Sequence, residues 1–303
     1  MKPPLIVLLC GLGAAFLVFV ASASRRLHVD PIDTAVEQRA VRRSLLRHPR
    51  VRRFLRERVD RRTAGGFLLT VSFAVVFLVA IAVGWLLGLI REHSWLSNAD
   101  KSLAKWGSEH GTSTTVDVLT SITQLGSSVV AISGLAIVGC LDYYRRHNAE
   151  VFAFFAVISV GQLLLANVLK WAVARERPAV LHLVKASGYS FPSGHSVTAA
   201  ASMSAIALVL GAGTSRRARA ALAAAAALVA VSVATSRALL GVHWLSDVIA
   251  GLLIGWGWFT IAAILFGGRV ARLGDPVSVR PAGGTASGLS VPAEHRASAP
   301  GDG

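Results

Sequence analysis

Residues 189–268 read YSFPSGHSVTAAASMSAIALVLGAGTSRRARAALAAAAALVAVSVATSRALLGVHWLSDVIAGLLIGWGWFTIAAILFGG. Three stretches within them, 189–215, 220–236 and 248–268, contain no Asp, Glu, Lys or Arg. About 20 apolar residues in a helix cross a ~30 Å hydrocarbon core, and lipid offers no partners to a backbone that is not helical. Only short polar segments separate the runs: Arg216-Arg217-Ala218-Arg219 after the first, and Ser236-Arg237, His243 and Asp247 after the second. The stretch therefore reads as three membrane crossings with polar residues gathered at their ends. Composition agrees, since 53% of the chain is hydrophobic and 16% charged, whereas a soluble domain carries roughly a quarter of its residues charged.

Further charge-free runs lie at 3–24, 64–90, 118–141 and 151–169. The expected fold is all-α, a polytopic membrane helical bundle with one N-terminal span and a six-span core. The core spans are placed at about 65–90, 117–141, 150–171, 194–213, 218–239 and 246–267. The chain divides into 1–24, a first span or signal peptide; 25–63, a basic segment; 64–267, the core; and 268–303, a tail. Small residues end the first run at Ala21-Ser22-Ala23-Ser24, as at a signal-peptide cleavage site. Residues 25–63, however, hold thirteen arginines; the positive-inside rule makes them cytoplasmic, which favours an uncleaved span. Within them, 34–60 reads as a basic amphipathic helix on lipid headgroups.

With that segment inside, the loops carrying Arg145-Arg146 and Arg216-Arg217-Ala218-Arg219 also fall inside, as does the tail with Arg269 and Arg272. The outside segments are 92–116, 172–193 and 240–245. The first, with Trp95, Asp100, Lys101, Lys105 and Trp106, predicts an interfacial helix lying along the bilayer. The Pro-, Gly- and Ser-bearing tail predicts disorder. Although the net charge is +15, the basic residues sit between and beside spans, where orientation signals belong, so no nucleic-acid partner is expected. Cys10 and Cys140 both lie inside apolar runs and suggest neither a disulfide framework nor a thiolate site.

Three polar clusters share the outside ends of the last four spans. Lys170 precedes Arg177-Pro178 by two helical turns, so a continuing helix points both cations one way. A cationic helix end snorkelling to headgroups has the same look. In Pro192-Ser193-Gly194-His195, Ser193 is a natural N-cap, and the free N–H groups of a helix start favour an anion. A capped helix with a surface histidine is the plainer alternative. In the third cluster, Ser236-Arg237 stands before His243 and Asp247, which are four apart. That spacing lets the carboxylate accept from one imidazole nitrogen while the other faces a substrate. Ionisable groups near the bilayer are costly and are functional by default, with a structural polar network as the alternative.

Lys-x6-Arg-Pro, Pro-Ser-Gly-His and Ser-Arg-x5-His-x3-Asp, complete and in this order over residues 170–247, resemble the signature of the type 2 phosphatidic acid phosphatase superfamily. The resemblance covers roughly 65–267 and leaves out 1–63 and 268–303. It implies that His243 attacks phosphorus and forms a phosphohistidine, that Asp247 fixes its tautomer, and that His195 protonates the leaving oxygen and then activates water. It implies that Lys170, Arg177, Arg237, the Ser193 hydroxyl and the Gly194 N–H hold the phosphoryl oxygens. No metal or cofactor is expected, because three cations supply the positive field and no Asp/Glu cluster of a two-metal phosphatase occurs. His182, His195 and His243 lack zinc-ligand spacing.

A soluble haloperoxidase shares the motif set, and the apolar runs argue against it. The expected partners are the bilayer and a lipid phosphate or pyrophosphate, with undecaprenyl pyrophosphate a leading candidate in a bacterial cell membrane and the site on the outer face. A transporter or flippase of phosphorylated lipid is the alternative, and a scaffold acting through 25–63 a third reading.

Overall fold

The computed structural model describes residues 2–23, 64–92, 95–180 and 182–270. The amphipathic helix expected at 34–60 and the tail expected to be disordered lie outside them. Among the described residues there are nine helices and no strand: α1 (Pro3–Ala23), α2 (Ala64–Arg91), α3 (Trp95–Glu109), α4 (Ser113–Gln124), α5 (Ser128–Arg146), α6 (Glu150–Val173), α7 (Gly194–Gly211), α8 (Arg216–Leu239) and α9 (Leu245–Val270). Seven are long and apolar enough to cross a bilayer, namely all but α3 and α4.

Two sequence expectations change. The charge-free run at 118–141 predicts one span from about 117, yet the structure breaks it at Leu125-Gly126-Ser127 and starts the span at Ser128. Capping chemistry is the reason. Ser127 adopts an extended conformation and its side chain accepts from Val130 N at 3.4 Å, which satisfies a first-turn donor and favours a new helix. The single interfacial helix expected over 92–116 is likewise two helices, α3 and α4, with Thr112 capping the second. Charge counting cannot see caps.

Helix α7 runs through the middle of the bundle with α5, α6, α8 and α9 around it, and its Ala199, Ala200, Ala201 and Ala205 are fully buried. In lipid, helices gain nothing by hiding apolar surface from each other, so small residues that let backbones approach decide which ones pack. Gly251 of α9 shows this: a Cβ there would lie 2.8 Å from the Ser193 carbonyl oxygen. Apolar side chains such as Phe16, Phe73, Phe77, Ile137 and Trp171 point outward instead, as a lipid-facing surface requires.

Helix α1 lies along α8. Its Val7 packs with Leu239, Leu240 and Val242 at one end, and at the other Arg216 Nε donates to the Ser22 carbonyl at 3.4 Å. The two are therefore antiparallel. Arg146 donates to the Ala212 carbonyl at that second end, while α3, the 174–193 loop and the 240–244 turn share the first. The alternation of spans read from the sequence matches this arrangement.

Candidate active site

The site forms where α6, α7, α8 and α9 meet the loops of the first end. Lys170 lies in the last turn of α6. The helix stops at Val173, and Ala174 takes a left-handed conformation (φ 49°) with its N–H donating to the Lys170 carbonyl. Arg177 is thus not on a continuation of α6, contrary to the two-turn reading. Pro178 accounts for part of this, since the residue before a proline is pushed out of the helical region.

Arg177 reaches the site from the loop. Its Nε donates to Gly188 O at 3.0 Å, its Nη2 to Ser187 O at 2.8 Å and its Nη1 to Val242 O at 2.6 Å. The same Nη1 lies 3.4 Å from His243 Nε2. Burial lowers the pKa of the Arg177 guanidinium and the Asp247 carboxylate opposes that; a guanidinium stays charged nonetheless.

Ser193 occupies the N-cap position of α7, with its N–H donating to the Asp247 carbonyl at 3.1 Å. Its hydroxyl does not cap the helix as expected; it accepts from Ser196 Oγ at 3.0 Å. The first-turn N–H groups, including that of Gly194, have no intrahelical acceptor. A Cβ on Gly194 would sit 3.8 Å from Lys170 Nζ, so that ammonium hangs beside the helix start. His195 follows at the second helical position. The α4–α5 turn presses against it: a Cβ on Gly126 would meet His195 O at 2.8 Å and Val233 at 2.5 Å, so only glycine lets that turn come so close.

The third cluster closes the site. Arg237, in the last turn of α8, is 8% exposed, and its Nε has no acceptor among the described residues. His243 is 2% exposed in the turn that Gly241 (φ 72°) makes possible. Asp247 stands at the third position of α9. Its Oδ2 accepts from the Trp244 N–H at 3.0 Å, one half of a capping box. That oxygen is also 3.6 Å from His243 Nδ1, a separation longer than a hydrogen bond. Nδ1 thus faces the carboxylate and Nε2 faces Arg177. Burial pushes the His243 pKa down to about 4, opposed by Asp247.

His195 lies within electrostatic reach of Arg237, His243, Lys170 and Arg177, and Lys170 within reach of Arg177, Arg237 and Asp247. The structure therefore brings Lys170, Arg177, Ser193, Gly194, His195, Arg237, His243 and Asp247 to one place. His182 is turned to the Pro178 carbonyl instead, at 2.9 Å.

Sequence reasoning missed a second layer. Arg175 Nη1 donates to Asp247 Oδ1 at 2.6 Å and to Ser246 Oγ at 2.7 Å, and Nη2 donates to Asp100 Oδ2 at 2.9 Å. The signal was present in α3, where Asp100 falls in register with Leu96, Ala104 and Gly107 on the buried face. An acid on an apolar stripe is a buried acid, and a buried acid needs a partner.

The PAP2 superfamily pattern matches residues 150–270. Phosphatidylglycerophosphatase B of Bacillus subtilis (strain 168) is 32% identical over 141 residues, 46% of this chain and 69% of that protein. Lipid A 1-phosphatase of Rhizobium johnstonii is 38% identical over 143 residues, 44% of this chain and 52% of that protein; the chain thus spans about half of that relative. Among solved structures, the transmembrane PAP2 type phosphatidylglycerolphosphate phosphatase from Bacillus subtilis is similar with a TM-score of 0.56 and 29% identity, covering 63% of this chain and 93% of that one. The matched region holds all three polar clusters, and with a relative matched over more than two thirds of its length, this chain belongs to the PAP2 superfamily.

Proposed function

We propose that the protein is a membrane lipid phosphatase that works through a covalent phosphohistidine. The observation that carries this reading is the convergence of Lys170, Arg177 and Arg237 on a histidine pair, one of which is backed by a carboxylate. His243 Nε2 attacks phosphorus, and the bond from phosphorus to the leaving oxygen breaks as His195 gives that oxygen a proton. Water then attacks the phosphohistidine and gives a proton to His195. Inorganic phosphate leaves, and both histidines return to their starting forms. The Asp247 carboxylate, 3.6 Å from His243 Nδ1, favours the tautomer with its proton on that nitrogen and stabilises the imidazole as it becomes cationic.

Arg237 contributes a buried donor without a protein acceptor among the described residues, Lys170 a charge beside the start of α7, and Gly194 a first-turn N–H. Together they supply the positive field for the developing phosphoryl charge, so activity is expected to survive EDTA.

A site where four of the seven apolar helices meet the loops of one end suits a phosphate held at headgroup level by tails that stay in the bilayer. Phosphatidylglycerol phosphate, the 1-phosphate of lipid A, phosphatidic acid and undecaprenyl pyrophosphate share that chemistry. Release of inorganic phosphate from this panel by the purified protein tests the reading. We expect release from at least one member, with a loss of about 10⁴-fold or more on removing the nucleophile in His243→Ala. Full activity in a folded His243→Ala protein, or lipid binding without release from any member, would sink it.

Arg145, Arg146, Arg216, Arg217 and Arg219 gather at the opposite end, which supports a cytoplasmic placement of that end and an outward-facing site in a bacterial cell membrane. A cysteine introduced at exposed Tyr189 should accordingly react with a membrane-impermeant label from outside intact cells. Labelling only after lysis would reverse the orientation.

A further inference from the structure

We propose that Arg175 and Asp100 are positioning residues that set the charge and orientation of Asp247, and so tie the surface helix α3 to the histidine nucleophile. The inference rests on the reading of His243 as nucleophile. Neither residue belongs to the phosphate-holding set, and Asp100 lies outside the stretch matched by the superfamily pattern.

The geometry is that of a built relay. Asp100 is 1% exposed, Asp247 0%, and the Arg175 side chain between them 16%. Arg175 donates to both carboxylates, at 2.9 and 2.6 Å, and its guanidinium lies 5.2 Å from the centre of the Trp244 ring. That ring is pinned by its own N–H donating to Glu176 O at 2.9 Å. Asp100 also accepts from Ser246 N at 2.8 Å and Ser246 Oγ at 2.6 Å. One carboxylate from α3 therefore caps the start of α9 and holds the arginine that holds Asp247. A planar guanidinium fixes two carboxylates at defined angles, which a point charge cannot do.

With Oδ1 of Asp247 taken by Arg175, Oδ2 is left to Trp244 N and to His243 Nδ1. This fixes which imidazole nitrogen faces the phosphate. Arg175 is also the cation that offsets Asp247, so the support given to a protonated His243 depends on it. The other charged or titratable groups facing His243 are Arg177 from the loop, Arg237 from α8 and His195 from α7. All of these keep their identity in the Arg175 and Asp100 variants.

The test is the kinetics of purified Arg175→Gln, Arg175→Lys, Asp100→Asn and Ser246→Ala on whichever lipid phosphate the wild type cleaves. Arg175→Gln should lower kcat by about 10- to 100-fold with KM within about threefold, as loss of a ligand-orienting partner does. It should also move the acid limb of kcat/KM upward by about one pH unit, because His243 loses a nearby cation while the Asp247 charge stays. Arg175→Lys should recover part of kcat and return the limb toward its wild-type position. Asp100→Asn and Ser246→Ala should lower kcat by a smaller factor, with KM unchanged and no upward shift of the limb.

A raised KM with unchanged kcat in Arg175→Gln would make Arg175 a phosphate ligand and overturn the proposal. An equal loss at every pH that lysine does not relieve would reduce it to a structural role and also overturn it. If Arg175→Gln does not fold, the other two positions decide: a fall in kcat of at least about threefold supports the relay, and none overturns it. His243→Ala separates the two claims. An active His243→Ala protein removes the nucleophile reading itself, whereas an inactive one beside wild-type-like Arg175 and Asp100 variants removes only the relay.

Discussion

The two ends of the same helices differ in one arginine: Arg175 and Arg177 at the site end are paired like those of the far end, and Arg237 is not. At the end away from the site, Arg146 pairs with Asp142 at 3.3 Å and donates to the Ala212 carbonyl, with its side chain 24% exposed. Arg216 likewise donates to a chain carbonyl, that of Ser22. At the site end Arg237 is 8% exposed, its Nε lacks an acceptor among the described residues, and the carboxylate nearest the histidines is already held by Arg175. Cations near headgroups that reach carbonyls and water cost little. Buried cations crowded on one another are expensive and persist where something anionic is to be bound. The comparison teaches that burial without a partner, more than the count of arginines, sets Arg237 apart from the arginines of the far end.

The largest test of that contrast is Arg237→Ala, expected to lower kcat/KM by about 10²- to 10³-fold, the usual cost of one preorganised donor to developing negative charge. A loss under tenfold would place Arg237 with the arginines of the far end.

Next comes pH. The His243 pKa, pushed by burial to about 4 against an ordinary value of 6.5, means that the neutral nucleophile persists down to about pH 4. Between pH 6.5 and 4 an unfolded chain would take up a proton that the folded one refuses, so this group's contribution to stability is whole above 6.5 and declines as pH falls toward 4. On the acid side the free-enzyme kcat/KM should therefore fall about tenfold per unit only below about pH 4. Two substrates with different phosphate pKa values remove the substrate's own ionisation from the profile. A substrate-independent limb near 6.5 would mean that His243 is as solvated as the groups of the far end.

The smallest expected effect belongs to the far end itself. Arg146→Ala leaves buried Asp142 short of a partner and should cost about 1–3 kcal/mol of stability, read as a lower midpoint in thermal unfolding. Phosphate release should stay within about twofold. A large loss of activity would dissolve the distinction between the ends.

Most of the site's inner layer was legible because its residues cluster at span ends at fixed local spacings, as His243 and Asp247 do across one turn. The alternation of the spans was legible too, from the apolar runs and the short polar segments between them. The break at Gly126, the left-handed stop at Ala174 and the freeing of the Ser193 hydroxyl from its cap were not, because each depends on neighbours far along the chain. Gly126 is held against His195 and Val233, and Arg177 against carbonyls of 187, 188 and 242.

The sequence by itself determined a seven-span helical bundle with three polar clusters on one side, because hydropathy and helical spacing are local properties of the chain. Only the tertiary structure decided which donors bind carbonyls or carboxylates and which, like Arg237 Nε, have no acceptor among the described residues. It alone carried Asp100 from a surface helix to Arg175, 75 residues away. Burial and hydrogen-bond partnership are set by elements that meet in space, and no spacing along the chain encodes that meeting.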